Sequence, residues 1–305
     1  MGHRTSLSLL AGLVLTMALT ASGCGRPSAS PAPEPTMGAQ PGPGNEPANN
    51  PPAQQPGPDQ PAAALPANGF GTVPGWLGFA VQPADERTRG WTPAHPNASA
   101  VIVDADAWSE TVEEGTKFRL LSREGNLPLT LAEVSQIPHG CNGDERTMAA
   151  FRTPHDLAEQ LVWILPAGKD DDAGPAGNDD AAAVVPVTAG KASKRQRSFT
   201  VGPLAITLQL DGKLGGRLQV RQGSAAVFDQ PFEKPRMEGA DMAPLDLTRD
   251  LEIGVPYPEA AFRIDPALTI VVLRTVTYEG VSFEVLALRD KLESAGKQYV
   301  YLCAF

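Results

Sequence analysis

The chain carries none of the short motifs that usually announce catalysis or nucleotide binding. There is no GxSxG nucleophile elbow, no HExxH zinc helix, no GxxxxGK(S/T) phosphate loop and no GxGxxG turn after a strand. These absences remove the usual grounds for a serine hydrolase, a zinc protease or a nucleotide enzyme, and leave only sites assembled from distant residues. Cysteine is scarce: Cys24, Cys141 and Cys303 are the three, and no two lie within four residues of each other. A local thiolate pair for zinc is thereby excluded. Positive charge is also short, with 25 Lys plus Arg against 35 Asp plus Glu, a net charge of −10. Such a chain is repelled by nucleic acid and by anionic lipid faces, so nucleic acid is not an expected partner. No cofactor and no metal site are predicted.

Among the features present, the N-terminus is the most informative. Met1-Gly2-His3-Arg4 precedes a mainly apolar stretch from Leu7 to Ala21, which ends in Ala21-Ser22-Gly23-Cys24. Fifteen residues suit a signal-peptide core and are short for a bilayer-spanning helix. Small side chains before the cysteine fit a peptidase groove, and the Cys24 sulfur can be alkylated by a lipid-transfer enzyme. Residues 1–24 resemble the signal sequence and lipobox of bacterial lipoproteins, with Ala21 where leucine is commoner. The resemblance implies cleavage after residue 23, lipidation of Cys24 with palmitate among its acyl chains, and attachment to the membrane through that lipid. Gly25, in place of an acidic residue, points to the outer membrane. An ordinary signal peptide cut near Ala21, leaving Cys24 a free thiol, is the competing reading. Gly2 and Ser6 also fit a loose myristoylation pattern, which does not explain the apolar core behind them.

Residues 24–70 are expected to be a lipidated cysteine followed by a disordered tether. Thirteen prolines fall between residues 25 and 70, with Phe70 the first aromatic. That composition buries too little apolar surface to offset chain ordering and favours an extended spacer. Residues 71–305 are expected to form a β-rich folded domain, interrupted at 167–198 by an acidic, low-complexity loop. In that span Asp170, Asp171, Asp172, Asp179 and Asp180 precede Lys191, Lys194, Arg195 and Arg197, and the two runs largely cancel as a solvated linker. With Cys24 committed to lipid, Cys141 and Cys303 are an even pair in an oxidising compartment. A disulfide between them is expected to join the two halves, two buried thiols being the alternative.

Period-two patterning is plainest in the second half. Leu204, Ile206, Leu208 and Leu210 alternate with Ala205, Thr207 and Gln209, and Leu218 and Val220 resume the pattern after the turn residues Asp211-Gly212. A second hairpin is predicted from the Val- and Ile-rich run 267–277 through Glu279-Gly280 into Val281, Phe283 and Val285. Gln298 to Phe305 reads as a closing strand. In the first half, Trp76–Val81 and Ala100–Val103 read as short strands. Thr130-Leu131-Ala132-Glu133 reads as a capping box opening a short helix. Thr153-Pro154-His155-Asp156 reads as another, with Leu157, Leu161 and Ile164 on its apolar face. The predicted fold is mainly β with a few short helices around a sandwich or barrel-like core.

His139 stands two residues from Cys141, where an imidazole could activate a thiol or share a metal with it; a disulfide or a packed cysteine beside a turn is the plainer reading. His155 could act as a base at a helix start, and His95 reads as exposed loop. Asp104 and Asp106, followed by Glu110, Glu113 and Glu114, offer carboxylates for calcium or acid–base work. Trp108 occupies a place where a calcium loop needs oxygen, which favours a solvated strand end. Asn97-Ala98-Ser99 matches a glycosylation sequon that a bacterial cell would normally leave unread. The resulting expectation is a non-catalytic envelope lipoprotein that binds an envelope protein or surface polymer, with Trp76, Trp91 and Trp108 as contact candidates. A secreted hydrolase using Asp104, Asp106 or His139 is the alternative.

Overall fold

The computed structural model describes residues 70–81, 94, 98–103, 112–138, 145–153, 155, 157, 160–167, 182–236, 242–278 and 280–301. Six strands from the first half close on themselves: β1 (Trp76–Val81), β2 (Ala98–Val103), β3 (Lys117–Ser122), β4 (Gly125–Pro138), β5 (Glu145–Arg152) and β6 (Gln160–Pro166). They form an antiparallel barrel in the order β1-β2-β5-β4-β3-β6, and β6 returns to β1 with Trp76 opposite Ile164 and Ala80 opposite Gln160. Alternate residues fill the interior, Val101, Leu120, Leu129, Leu131 and Val162 among them. Trp76 meets Phe118 edge-on at 6.1 Å, and Phe118 meets Phe151 at 6.0 Å. Closure removes the unpaired edges that a six-stranded open sheet would expose.

The second half forms two five-stranded sheets. The first contains β8 (Val187–Ala192), β9 (Gln196–Val201), β10 (Leu204–Leu210), β11 (Gly215–Gln222) and β12 (Ala225–Glu233), ordered β12-β11-β10-β9-β8. The second contains β7 (Ala183–Val184), β13 (Pro256–Asp265), β14 (Leu268–Val276), β15 (Gly280–Leu288) and β16 (Leu292–Tyr301), ordered β16-β15-β14-β13-β7. Leu204, Ile206, Leu208 and Val220 from the first sheet meet Val271, Leu273 and Leu286 from the second, which makes a sandwich. The second sheet is buried on its far side as well. There Ile270, Val272, Phe283 and Val285 pack on Leu77, Leu121, Leu161 and Trp163 from the outside of the barrel.

One sheet therefore serves as the middle layer of three. Its position explains the sequence pattern of its strands. β14 and β15 each carry an unbroken buried run, Ile270–Leu273 and Phe283–Leu286, whereas β10 alternates between buried and more exposed residues because only one of its faces is covered. Trp163 joins the layers: its ring lies 5.6 Å from Phe70 and 6.3 Å from Phe262, and its Nε1–H donates to the Pro74 carbonyl at 3.0 Å. Gly75 makes that approach possible. Its φ is +94°, and a Cβ there would stand 2.6 Å from the indole nitrogen.

The structure departs from two expectations. Among the described residues there is no helix. Thr130 to Glu133 lie inside β4, and the register shift between Leu131 and Glu133 shows a bulge where the capping box was read. Glu133 there accepts hydrogen bonds from the Ala94 N–H at 2.8 Å and from Ser135 at 3.4 Å. Likewise Leu161 and Ile164 belong to β6; Leu157 and Ile164 line the barrel interior while Leu161 faces the middle sheet. Their apparent helical stripe is split between two cores. The disulfide is the second correction. None is found among the described residues, Cys141 and Cys303 lie outside them, and apolar packing of barrel on middle sheet joins the two halves instead. Residues 1–24 also lie outside the described residues. Within the span 167–198, residues 168–181 are outside them too, while the rest contributes β7, β8 and the start of β9.

Candidate functional site

The sequence candidates are not brought together by the described residues. Asp104, Asp106, Glu110, His139 and Cys141 lie outside them, as do His95, Trp91 and Trp108. His155 is exposed between β5 and β6; its carbonyl accepts from Ser99 Oγ at 2.9 Å and its N–H donates to Thr153 Oγ1 at 3.1 Å. Glu113 is exposed, and Glu114 forms an ion pair with Arg152. Trp76 is buried inside the barrel rather than offered for contact. Among the described residues no group of three or more His, Cys, Asp and Glu could hold a metal ion. The basic residues Lys191, Lys194, Arg195 and Arg197 lie on β8, its turn and β9. Arg197 is clamped: its guanidinium lies 5.3 Å from both the Phe199 and Tyr257 rings and 2.6 Å from the Asp250 carboxylate. Burial raises the Tyr257 hydroxyl above its ordinary pKa, partly opposed by Arg197.

Two polar groupings that sequence reasoning missed are built around buried side chains. The first is the turn between β3 and β4. Gln160, buried at the start of β6, accepts from the Arg123 N–H at 3.0 Å and donates through Nε2 to the Glu124 carboxylate at 2.9 Å. Ser122, also buried, accepts from the Glu124 N–H at 3.2 Å. Burial pushes the Glu124 carboxyl up, but its hydrogen bonds to Gln160, Ser122 and its own backbone, with His155 nearby, outweigh this and leave it below the usual glutamate value. Arg123 is thus held at the tip of a wired turn, its own side chain exposed. The turn was legible as Ser122-Arg123-Glu124-Gly125, with Gly125 at φ +117°, but nothing in the sequence pairs it with Gln160.

Arg123 lines an open groove of about 300 Å³ between barrel and sandwich. The walls are Leu161 from the barrel, Phe262 and Ala260 from the middle sheet, and Val184, Val185 and Val187 from the segment that crosses between the sheets. That segment is fixed by the Val185 N–H donating to the Ala261 carbonyl at 2.8 Å. Glu259 also lines the groove, at the register shift between Pro258 and Ala260, and lies 3.8 Å from Arg274 on β14. The second grouping is Glu284 on β15, which accepts from Ser294 at 2.7 Å and Gln230 at 3.2 Å and lies 3.4 Å from Lys297 Nζ. Its neighbours occupy its acceptor sites, and an inward charge beside the edge strand β16 discourages edge-to-edge pairing.

A third feature lies on the outside of the sandwich. The outer face of the β8–β12 sheet presents rows of small hydroxyl, amide and guanidinium side chains. Cross-strand pairing aligns Ser198, Thr207, Gln219 and Asp229 in one row, and Gln196, Gln209 and Arg217 in the next. Neighbours within a row are about 4.8 Å apart, and rows about 7 Å apart. Asp229 accepts from Arg217 Nε at 2.9 Å and from Gln219 at 3.3 Å, which fixes both side chains. The Arg217 hydrogen bond is the main cause holding the Asp229 carboxyl below its ordinary value.

Comparison with protein families, with curated proteins and with solved structures returns no match for this chain. The likeness of residues 1–24 to bacterial lipoproteins therefore rests on those residues alone.

Proposed function

We propose that the protein is a non-catalytic lipoprotein of the bacterial cell envelope, anchored through Cys24, whose β-domain binds a surface polysaccharide on the outer face of the β8–β12 sheet. The observation that carries the reading is the ordered polar face itself. Its hydroxyl and amide rows recur at spacings that a hydroxyl- and amide-rich polymer can follow with many individually weak hydrogen bonds. A protein partner is the poorer fit, because protein interfaces depend on buried aromatic or aliphatic anchors. Among the described residues the only large hydrophobic side chain that is exposed is Leu251, at 40%. The Pro-rich stretch after Cys24 supports the anchored reading by supplying reach from the lipid to the domain.

Co-sedimentation of the full-length protein with isolated, insoluble envelope polysaccharide tests the proposal. The bound fraction is expected to fall about tenfold in a Gln209→Ala/Gln219→Ala double variant whose melting temperature is unchanged. Equal binding by both proteins would remove the sheet face from consideration. In parallel, Cys24→Ser is expected to move the chain from the membrane to the soluble fraction. An intact mature N-terminus without added acyl mass overturns the anchor.

A further inference from the structure

We infer that the polymer taken by the outer face of the β8–β12 sheet is uncharged, held by hydroxyl and amide contacts rather than by ions. The inference rests on the polysaccharide reading above and narrows its substrate class. On β9 the outward side chains are Gln196, Ser198 and Thr200, and on β10 they are Ala205, Thr207 and Gln209. None of them is ionisable. Arg197, the charged residue within these two strands, turns the other way. It is clamped against Phe199 and Tyr257, with Asp250 as its counter-ion.

The charges of the face lie on β11 and β12, and they are engaged. Arg217 Nε lies 2.9 Å from Asp229, Glu233 lies 3.2 Å from Arg236, and Arg221 donates to the Ser224 carbonyl. A polycation would find both carboxylates, Asp229 and Glu233, already occupied. A polyanion would approach a chain of net charge −10, whose field opposes it, with Arg221 a single charge against that field. A neutral polymer meets neither obstacle. Threonine and serine hydroxyls and glutamine amides each donate and accept, so they can exchange water for sugar hydroxyls in either sense.

Co-sedimentation of the full-length chain with insoluble envelope polysaccharide tests the inference through Thr207→Lys and Thr207→Glu. Thr207 lies at the centre of the face, between Ser198 and Gln219. Against an uncharged polymer either new charge is desolvated without gain, so both variants should bind about fivefold more weakly than the parent. The parent's bound fraction should change less than about twofold between roughly 20 mM and roughly 500 mM NaCl, a range that screens exposed charges strongly. Tighter binding by Thr207→Lys with weaker binding by Thr207→Glu would reveal a polyanion and overturn the inference. The reverse pattern would reveal a polycation and overturn it equally, as would two variants that bind like the parent. So would loss of most parent binding at high salt, a result that depends on no variant folding. The sheet-face reading fails on a different result, a Gln209→Ala/Gln219→Ala chain that binds like the parent. A parent chain that does not sediment with the polymer overturns both.

Discussion

Gly78 shows how tightly the barrel is filled. A Cβ at this position would stand 2.5 Å from Val101 Cγ1, 3.0 Å from Val162 Cγ2 and 3.4 Å from Ile164 Cδ1. Those three side chains belong to the interior or its strands, and the barrel is closed, so none of them can shift outward without disturbing a neighbouring strand. Gly78→Ala would ordinarily gain stability by restricting the unfolded chain. Here the clash should dominate, at a cost of about 1–3 kcal/mol. A lower urea midpoint with an unchanged m-value is the expected result. A midpoint equal to or above the parent's would show the interior to be looser than these distances imply.

At the scale of the element, the β3–β4 hairpin carries its own pH response. Glu124 has a folded-state pKa below its unfolded value, with burial opposed and outweighed by hydrogen bonds from Gln160 and Ser122. A depressed carboxylate stabilises the fold fully above its unfolded value of about 4.3 and ceases to do so as pH falls through the lower folded value. The turn is largely solvent-exposed, so the contribution belongs in the surface range, about 0.2–1 kcal/mol. Glu124→Gln keeps an acceptor for Gln160 but removes the titration. The parent should therefore lose more stability than the variant between pH 6 and pH 3, as read from urea midpoints. Parallel loss in the two chains would assign the acid sensitivity to other carboxylates.

How far such elements could be read in advance depended on how many faces they bury. β10 covers one face, and its Leu-Ile-Leu-Leu alternation announces it. The pairing of β14 with β15 also follows from the residues around Gly280, where Thr277 N–H donates to the Gly280 carbonyl at 2.8 Å. β6 buries both faces, so Leu161 to Leu165 form an unbroken apolar run with no period to measure. The spacing of Leu157, Leu161 and Ile164 then mimics a helix although the three side chains serve two cores. Four residues of capping-box pattern at Thr130 were likewise outweighed by the period-two run Leu127, Leu129, Leu131 through which they pass. The groove was not legible, because Arg123, Leu161, Val185 and Glu259 converge only after barrel and sheets have packed.

For the whole molecule, the middle sheet decides whether barrel and sandwich behave as one body. Neighbouring residues of β14 point in opposite directions: Ile270 packs with the barrel-facing cluster and Val271 with the sandwich core, both fully buried. Truncating either should weaken the same sheet. Ile270→Ala is expected to cost about 2–5 kcal/mol through lost contacts and a cavity. The chain supplies its own reporters, because its four tryptophans lie between residues 76 and 163 and its four tyrosines between 257 and 301. Tryptophan fluorescence thus follows the first half of the chain, including Trp163 at its contact with the middle sheet, and far-UV circular dichroism follows all strands. If burial on both faces couples the halves, the parent and Ile270→Ala should each unfold in one transition, with both probes coincident and the variant's midpoint lower. Separation of the two signals in Ile270→Ala alone would mean that the barrel-facing contacts dock two self-sufficient halves. The second face of the sheet would then be an interface rather than part of a shared core.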